Sequence, residues 1–202
     1  MHALIDILFP AQCAACGAQG SGLCPRCVPA VPPQIRALPS LRVFAVGAYA
    51  GALRRAVLAL KDGRRDVAHA LAGRLASLIA PGMLLVPVRT TPLRRRARGF
   101  DGVELLARIA AERAGARICP AIAPLRRDAQ RGRNREARLA ARRRFGCEAS
   151  LVAGREAVLV DDVCTTGATL EDCAAALRAA GATVTQAFVV AVANEARLCS
   201  VD

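Results

Sequence analysis

Two groups of residues in this sequence have the types and spacing that chemistry needs. The first is Val158-Leu159-Val160-Asp161-Asp162-Val163-Cys164-Thr165-Thr166-Gly167-Ala168-Thr169. An apolar run ends in two adjacent carboxylates, and a loop of small and hydroxylated residues then opens a helix. Threonine hydroxyls and successive backbone N–H groups can wrap a phosphate, and the positive end of a helix dipole adds to the attraction. Gly167 permits a close approach or a positive φ that a side chain would obstruct. Asp161 and Asp162 can accept hydrogen bonds from neighbouring ribose hydroxyls, as an acidic residue does in dinucleotide folds. A simple helix cap needs one Thr or Asp. It does not call for two carboxylates with Thr165, Thr166, Gly167, Ala168 and Thr169 behind them.

The second group is Cys13-x-x-Cys16-Gly17 and Cys24-x-x-Cys27. Four thiolates can close a tetrahedral Zn²⁺ site, and Gly17 suits the turn after a knuckle. A segment of this size with so few apolar side chains could hardly fold without metal. Two disulfides or a redox CxxC are the alternatives, and a redox motif belongs near a βαβ unit instead. Of the other cysteines, Cys119, Cys147, Cys173 and Cys199 read as small buried hydrophobes. Cys164 is either a thiol with a depressed pKa at a helix N-terminus or an apolar filler, and the filler is the simpler account.

These groups need elements to hold them. The cysteines fall in a stretch rich in Gly and Pro, followed by Pro29, Pro32, Pro33 and Pro39, which read as a stiff linker. The expected division is residues 1–38 for a small module and linker, and 39–202 for the main domain. Beyond that boundary, strand-like and helix-like runs alternate. Strands are expected at 42–49, 83–88, 117–122, 157–160 and 184–192. Helices are expected at 51–61, with Leu53, Val57, Leu58 and Leu60 on the apolar side, and at 66–79, 102–114 and 170–180. Alternation of this kind points to βαβ units and a mainly parallel sheet covered on both faces. Ligands in such sheets sit at the carboxyl ends of the strands.

Composition bounds the partners. The 202 residues carry a formal charge of +13, and 54% are hydrophobic but only 3% aromatic. The core must be built from Ala, Val, Leu and Ile. No run approaches the roughly 20 apolar residues of a membrane helix, and the short start around Leu4–Phe9 lacks the features of a signal peptide. A cytosolic location is expected.

The basic residues cluster. Five arginines and no acid occupy 89–98, and nine arginines against two acids occupy 126–144. Arg94, Arg95, Arg96, Arg98, Arg131 and Arg133 are candidates for an anion or DNA surface, since Arg pairs bidentately with phosphate. The competing account is a solvated surface. No aromatics interleave the arginines, so any DNA contact would be led by the backbone. Lys61 is the sole lysine, which marks a site needing a compact ammonium or is chance.

The loop at 158–169 resembles the signature of type I phosphoribosyltransferases. The chain as a whole resembles the ComF family of competence proteins, which combine a zinc ribbon with a phosphoribosyltransferase-like domain. The carriers are the cysteine knuckles, Leu85-Val86-Pro87-Val88, Arg98-Gly99-Phe100 and the loop, in the family's order. The resemblance implies a type I phosphoribosyltransferase fold plus an amino-terminal zinc ribbon. It implies that Asp161 and Asp162 hold ribose hydroxyls and that 165–169 hold a 5′-phosphate. Val88 and Arg89, with Lys61, would face pyrophosphate and Mg²⁺. The family usually reads Arg-Gly-Phe-Asn-Gln, whereas Asp101 and Gly102 follow Phe100 here.

Three functions follow as expectations. One is an accessory role in natural transformation, with phosphoribosyl pyrophosphate, single-stranded DNA and a competence helicase or other transformation proteins as partners. The second is a catalytic phosphoribosyltransferase in nucleobase salvage. The third is a non-catalytic sugar-phosphate sensor.

Overall fold

The computed structural model describes residues 11–27, 33–89, 96, 99–125 and 144–193. In chain order they form β1 (Gln34–Ala37), β2 (Arg42–Ala48), α1 (Gly51–Lys61), α2 (Arg65–Ala76), β3 (Leu84–Pro87) and α3 (Gly102–Ala114). These are followed by β4 (Arg117–Ile118), β5 (Ile122–Pro124), β6 (Phe145–Cys147), β7 (Val158–Cys164), α4 (Ala168–Ala179) and β8 (Gln186–Val192). The main sheet has the order β1-β2-β8-β7-β3-β4. Its neighbours are parallel except at the edge, where β1 runs antiparallel to β2. β5 and β6 form a separate antiparallel pair.

Strand alternation sorts the apolar residues into two layers. Leu85, Val158, Val160 and Phe188 join Val57, Leu60, Leu71, Leu75 and Leu106 of α1, α2 and α3 on one face. Leu84, Val86, Leu159 and Val189 join Leu170, Cys173 and Leu177 of α4 on the other. Both faces are covered, so the strands read as continuous apolar runs, as buried parallel strands do. Phe44 and Phe188 meet in this core with ring centroids 5.7 Å apart.

Local chemistry explains where the helices begin and end. Asp101 caps α3 by accepting from the N–H groups of Val103 and Glu104 at 3.1 and 3.2 Å. Gly115 ends the helix at φ 66°, a left-handed conformation that glycine adopts cheaply. The Asp101-Gly102 pair after Phe100 is therefore a helix start. On α1 the buried positions are Ala56, Val57 and Leu60, whereas Leu58, expected on the apolar side, is 36% exposed. A stripe through 53, 57 and 60 leaves position 58 turned away, because one residue advances a helix by about 100°.

The segment around the prolines is not only a connector. Residues 34–37 pair with Ala45 to Arg42 of β2. The cysteine knuckles also lie against the main fold. Cys13, Leu23 and Cys24 are buried in the same cluster as α1–α3. A Cβ on Gly22 would stand 2.7 Å from the backbone of Asp66, at the start of α2. Arg64 ties the two pieces by donating to the Gln12 carbonyl and to Asp66, both at 2.5 Å. Among the described residues no helix is long and apolar enough to cross a membrane.

Candidate functional site

β7 runs through both carboxylates to Cys164, four residues further than its apolar run suggests. Pairing with β8 continues at Asp161, Val163 and Cys164, so the two acids sit within the carboxyl end of a central strand. Consecutive strand residues face opposite sides. Asp162 points to the α1 face, where Lys61 Nζ lies 3.1 Å from its Oδ2. Asp161 points towards α4, where burial, and after it the charge of Asp161, pushes the Cys173 thiol up.

The electrostatics of the pair follow from this placement. Burial, and after it the charge of Asp162, holds the Asp161 carboxyl well above the usual carboxylate range. The Asp162 N–H, 2.8 Å from Asp161 Oδ1, and Lys61 act in the opposite direction. Asp101 adds a third negative charge nearby. The lone lysine therefore sits where acids crowd, and its compact ammonium answers one of them.

After Cys164 the chain turns outward. Thr165 and Thr166 are exposed, Gly167 takes φ 85°, and Ala168 begins α4. The Thr166 hydroxyl accepts from the Ala168 N–H at 3.4 Å. Thr169 lies half-buried in the first helical turn. Exposed hydroxyls, a left-handed glycine and a helix N-terminus at the carboxyl end of a parallel strand are an arrangement that can receive an anion. Cys164 is buried, and desolvation pushes its thiol up, in line with a filler and not an activated nucleophile. Cys119 and Cys173 are buried as expected, Cys147 is half-buried, and Cys199 lies outside the described residues.

The other expected anion contacts are placed as follows. The N–H of Val88 donates to the Val160 carbonyl at 2.8 Å. Arg89 lies 3.2 Å from Glu104, and Glu104 also meets Arg108 at 3.3 Å. Arg96 is exposed, and Arg94, Arg95, Arg98, Arg131 and Arg133 lie outside the described residues. Two contributors escaped the sequence. Asp101 is one, since its cap role hides behind a motif departure. Arg36 is the other, since it falls in a segment read as linker yet donates to the Thr165 carbonyl. A depression of about 410 Å³ lined by Arg117, Arg155, Glu156 and Gln186 opens at the amino ends of the strands, away from the loop.

The four cysteines converge. Their Sγ atoms all lie within 4.8 Å of one another, and those of Cys16 and Cys24 are 3.7 Å apart. A tetrahedron with Zn–S bonds of about 2.3 Å has edges of roughly 3.8 Å, so the donor set fits that ion. Cys13 Sγ accepts from the N–H groups of Ala15 and Cys24 at 3.4 Å. Burial pushes the Cys13 thiol up, but these backbone donors outweigh it and bring it down to about 6. Hydrogen bonding with Cys16 and Cys24, together with burial, pushes Cys27 up to about 12. The cluster thus favours a first thiolate and resists a last one, the behaviour of thiols crowded without a cation.

The family model described as the phosphoribosyl transferase domain matches residues 70–200, well over half of the chain. The chain belongs to the phosphoribosyl transferase domain family. The type I phosphoribosyltransferase fold expected from the loop is the fold of this family. Among solved structures, the chain is similar to the allosteric regulatory enzyme of purine biosynthesis, with 20% identity and a TM-score of 0.43. That match covers 61% of this chain and 26% of the other. It is also similar to orotate phosphoribosyltransferase from Aeropyrum pernix, with 21% identity and a TM-score of 0.42, covering 69% of this chain and 64% of that one. The chain therefore spans less than two thirds of either protein's length. No curated protein matches it. In this phosphoribosyl transferase domain, the matched segment runs from α2 through β8 and contains both carboxylates and the loop.

Proposed function

We propose that the site at 161–169 binds phosphoribosyl pyrophosphate or a related sugar phosphate. The observation that carries this reading is the Asp161–Asp162 pair at the carboxyl end of β7, followed by an exposed Thr165–Thr166 turn and the left-handed Gly167 at the start of α4. In this reading the carboxylates accept from ribose hydroxyls. The loop N–H groups and the hydroxyls of Thr165, Thr166 and Thr169 receive the 5′-phosphate. Arg89, Lys61 and the backbone at Val88 lie towards the pyrophosphate end. Asp161 and Asp162 are also the residues that would face a Mg²⁺ ion. Bound there, it would neutralise charge on the departing pyrophosphate. The four cysteines hold structural Zn²⁺ in the N-terminal module. The phosphoribosyl domain takes in residues 39–202 together with β1, which joins its sheet although it precedes the expected boundary at 38.

The wider role we propose is that of a ComF-like accessory factor in natural transformation, working in the cytoplasm beside a competence helicase or other transformation proteins. Its support is the order of knuckles, Leu85–Val88, Arg98–Phe100 and loop along one chain, with a charge of +13 that favours a polyanion. Arg94, Arg95, Arg96, Arg98, Arg131 and Arg133 would meet single-stranded DNA. Calorimetric titration with phosphoribosyl pyrophosphate and Mg²⁺ tests the site, and saturable binding is expected. Turnover with a panel of nucleobases separates transfer from binding alone. Pyrophosphate release with any base would move the assignment to salvage.

A further inference from the structure

Between Asp161 and Thr169 the chain carries two carboxylates and no cation, and Lys61 lies on Asp162. A phosphate monoester would add roughly −1.5 to −2 charges at neutral pH. The helix N-terminus answers only about half a charge. Further countercharge has to be supplied from outside the loop, and the edge strand β1 brings a cation to it.

Arg36 Nη1 donates to the Thr165 carbonyl, inside the loop, and at 3.3 Å to the Ala193 carbonyl just beyond β8. Those two carbonyls follow adjacent parallel strands, so the guanidinium stands on the ligand side of the sheet. Its charge reaches Cys164 as well. The segment after Arg36 is fixed to the same region. Leu38 methyls lie 2.6 Å from where a Gly167 Cβ would be. The Ser40 N–H donates to Glu171 at 3.0 Å, and its hydroxyl donates to the same carboxylate. Arg178 donates to the Ser40 hydroxyl and carbonyl, each at 2.8 Å. Residues 36–40 are thus anchored to 165–171 at three points, independently of the pairing between β1 and β2.

We propose that Arg36 is a positioning residue of the phosphate loop, fixing the Thr165 carbonyl and lending positive charge to a bound 5′-phosphate. The proposal rests on the reading of the loop as a phosphoribosyl site. It assigns the N-terminal edge strand a part in ligand binding, outside the segment that the family model matches.

The test compares wild type, Arg36→Gln and Arg36→Lys by calorimetry. The ligands are ribose 5-phosphate without Mg²⁺, phosphoribosyl pyrophosphate with Mg²⁺, and inorganic pyrophosphate with Mg²⁺. Thermal unfolding of each variant checks the fold. Arg36→Gln is expected to weaken both 5′-phosphate ligands about ten- to a hundredfold, the range for a charged hydrogen bond. Inorganic pyrophosphate should bind unchanged, and Arg36→Lys should recover part of the loss. Wild type that binds ribose 5-phosphate, with Arg36→Gln binding it equally well, overturns the role of Arg36 alone. Equal weakening of all three ligands also overturns it, since that is general damage. A wild type that binds none of them overturns the phosphoribosyl reading itself.

Discussion

Asp162 has an ammonium 3.1 Å away, whereas Asp161, one residue earlier, faces burial and the charge of its neighbour. The pair was legible in the sequence because two acids directly after an apolar run have no structural purpose there. The isolation of Lys61 among 28 arginines was legible too, but its partner was not, since α1 and β7 meet only in the folded chain. A carboxyl raised above its usual range favours folding while protonated. Its contribution is complete below the unfolded pKa of about 4 and is lost as pH rises through the folded value. Asp161→Asn should therefore raise the unfolding midpoint by a few degrees at pH 8, about 2–4 °C per kcal/mol for a chain of this size. That advantage should close as pH falls below about 4. Thermal unfolding across a pH series checks both the sign and the window. Such a gain in stability from removing a site residue is the usual trade-off between stability and activity.

At the scale of elements, α1 and α3 were readable to the residue from periodicity and from Gly115, and β2, β3 and β8 from their apolar runs. The single strand expected over 117–122 instead splits into β4 (Arg117–Ile118) in the main sheet and the start of β5 in the separate pair. β7 was read too short, because Asp161, Asp162 and Val163 are polar or half-buried at a sheet end, where hydropathy no longer reports pairing. β1 was missed for a similar reason. Its residues are mostly exposed and lie between prolines, so the edge strand carries no alternation signal. The convergence of the four cysteines was readable from their spacing, but the docking of the module on α2 was not. With four sulfurs this close, one equivalent of Zn²⁺ per chain is expected, and Cys24→Ser should lose it; metal analysis of protein purified without chelator measures both. Cys13, Leu23 and Cys24 share a core with α2, so Cys24→Ser should also lower the unfolding midpoint of the whole chain. An unchanged midpoint would show that the module stands apart. Gly22→Ala probes the same contact without touching a ligand. It should destabilise by about 1–3 kcal/mol, the usual range for overpacking, with zinc content intact.

Over the whole molecule, the sequence carries an excess of thirteen positive charges, while the candidate site begins with two negative ones. If the arginine clusters follow a DNA backbone, log affinity for a single-stranded oligonucleotide should fall linearly with log salt. Each phosphate contacted contributes a slope of about −0.7. Replacing Arg94, Arg95 and Arg96 together should flatten that slope for all sequences alike, as read by fluorescence anisotropy. The central claim is narrower than the DNA role: the carboxylate pair and loop after β7 form a phosphoribosyl site. Calorimetric titration of Asp161→Asn/Asp162→Asn with phosphoribosyl pyrophosphate and Mg²⁺, beside wild type, tests it most directly. Two lost acceptors to ribose hydroxyls should each cost about 1.5–3 kcal/mol, enough to take binding below detection while the variant still unfolds cooperatively. A folded double variant that binds with wild-type affinity would contradict the account.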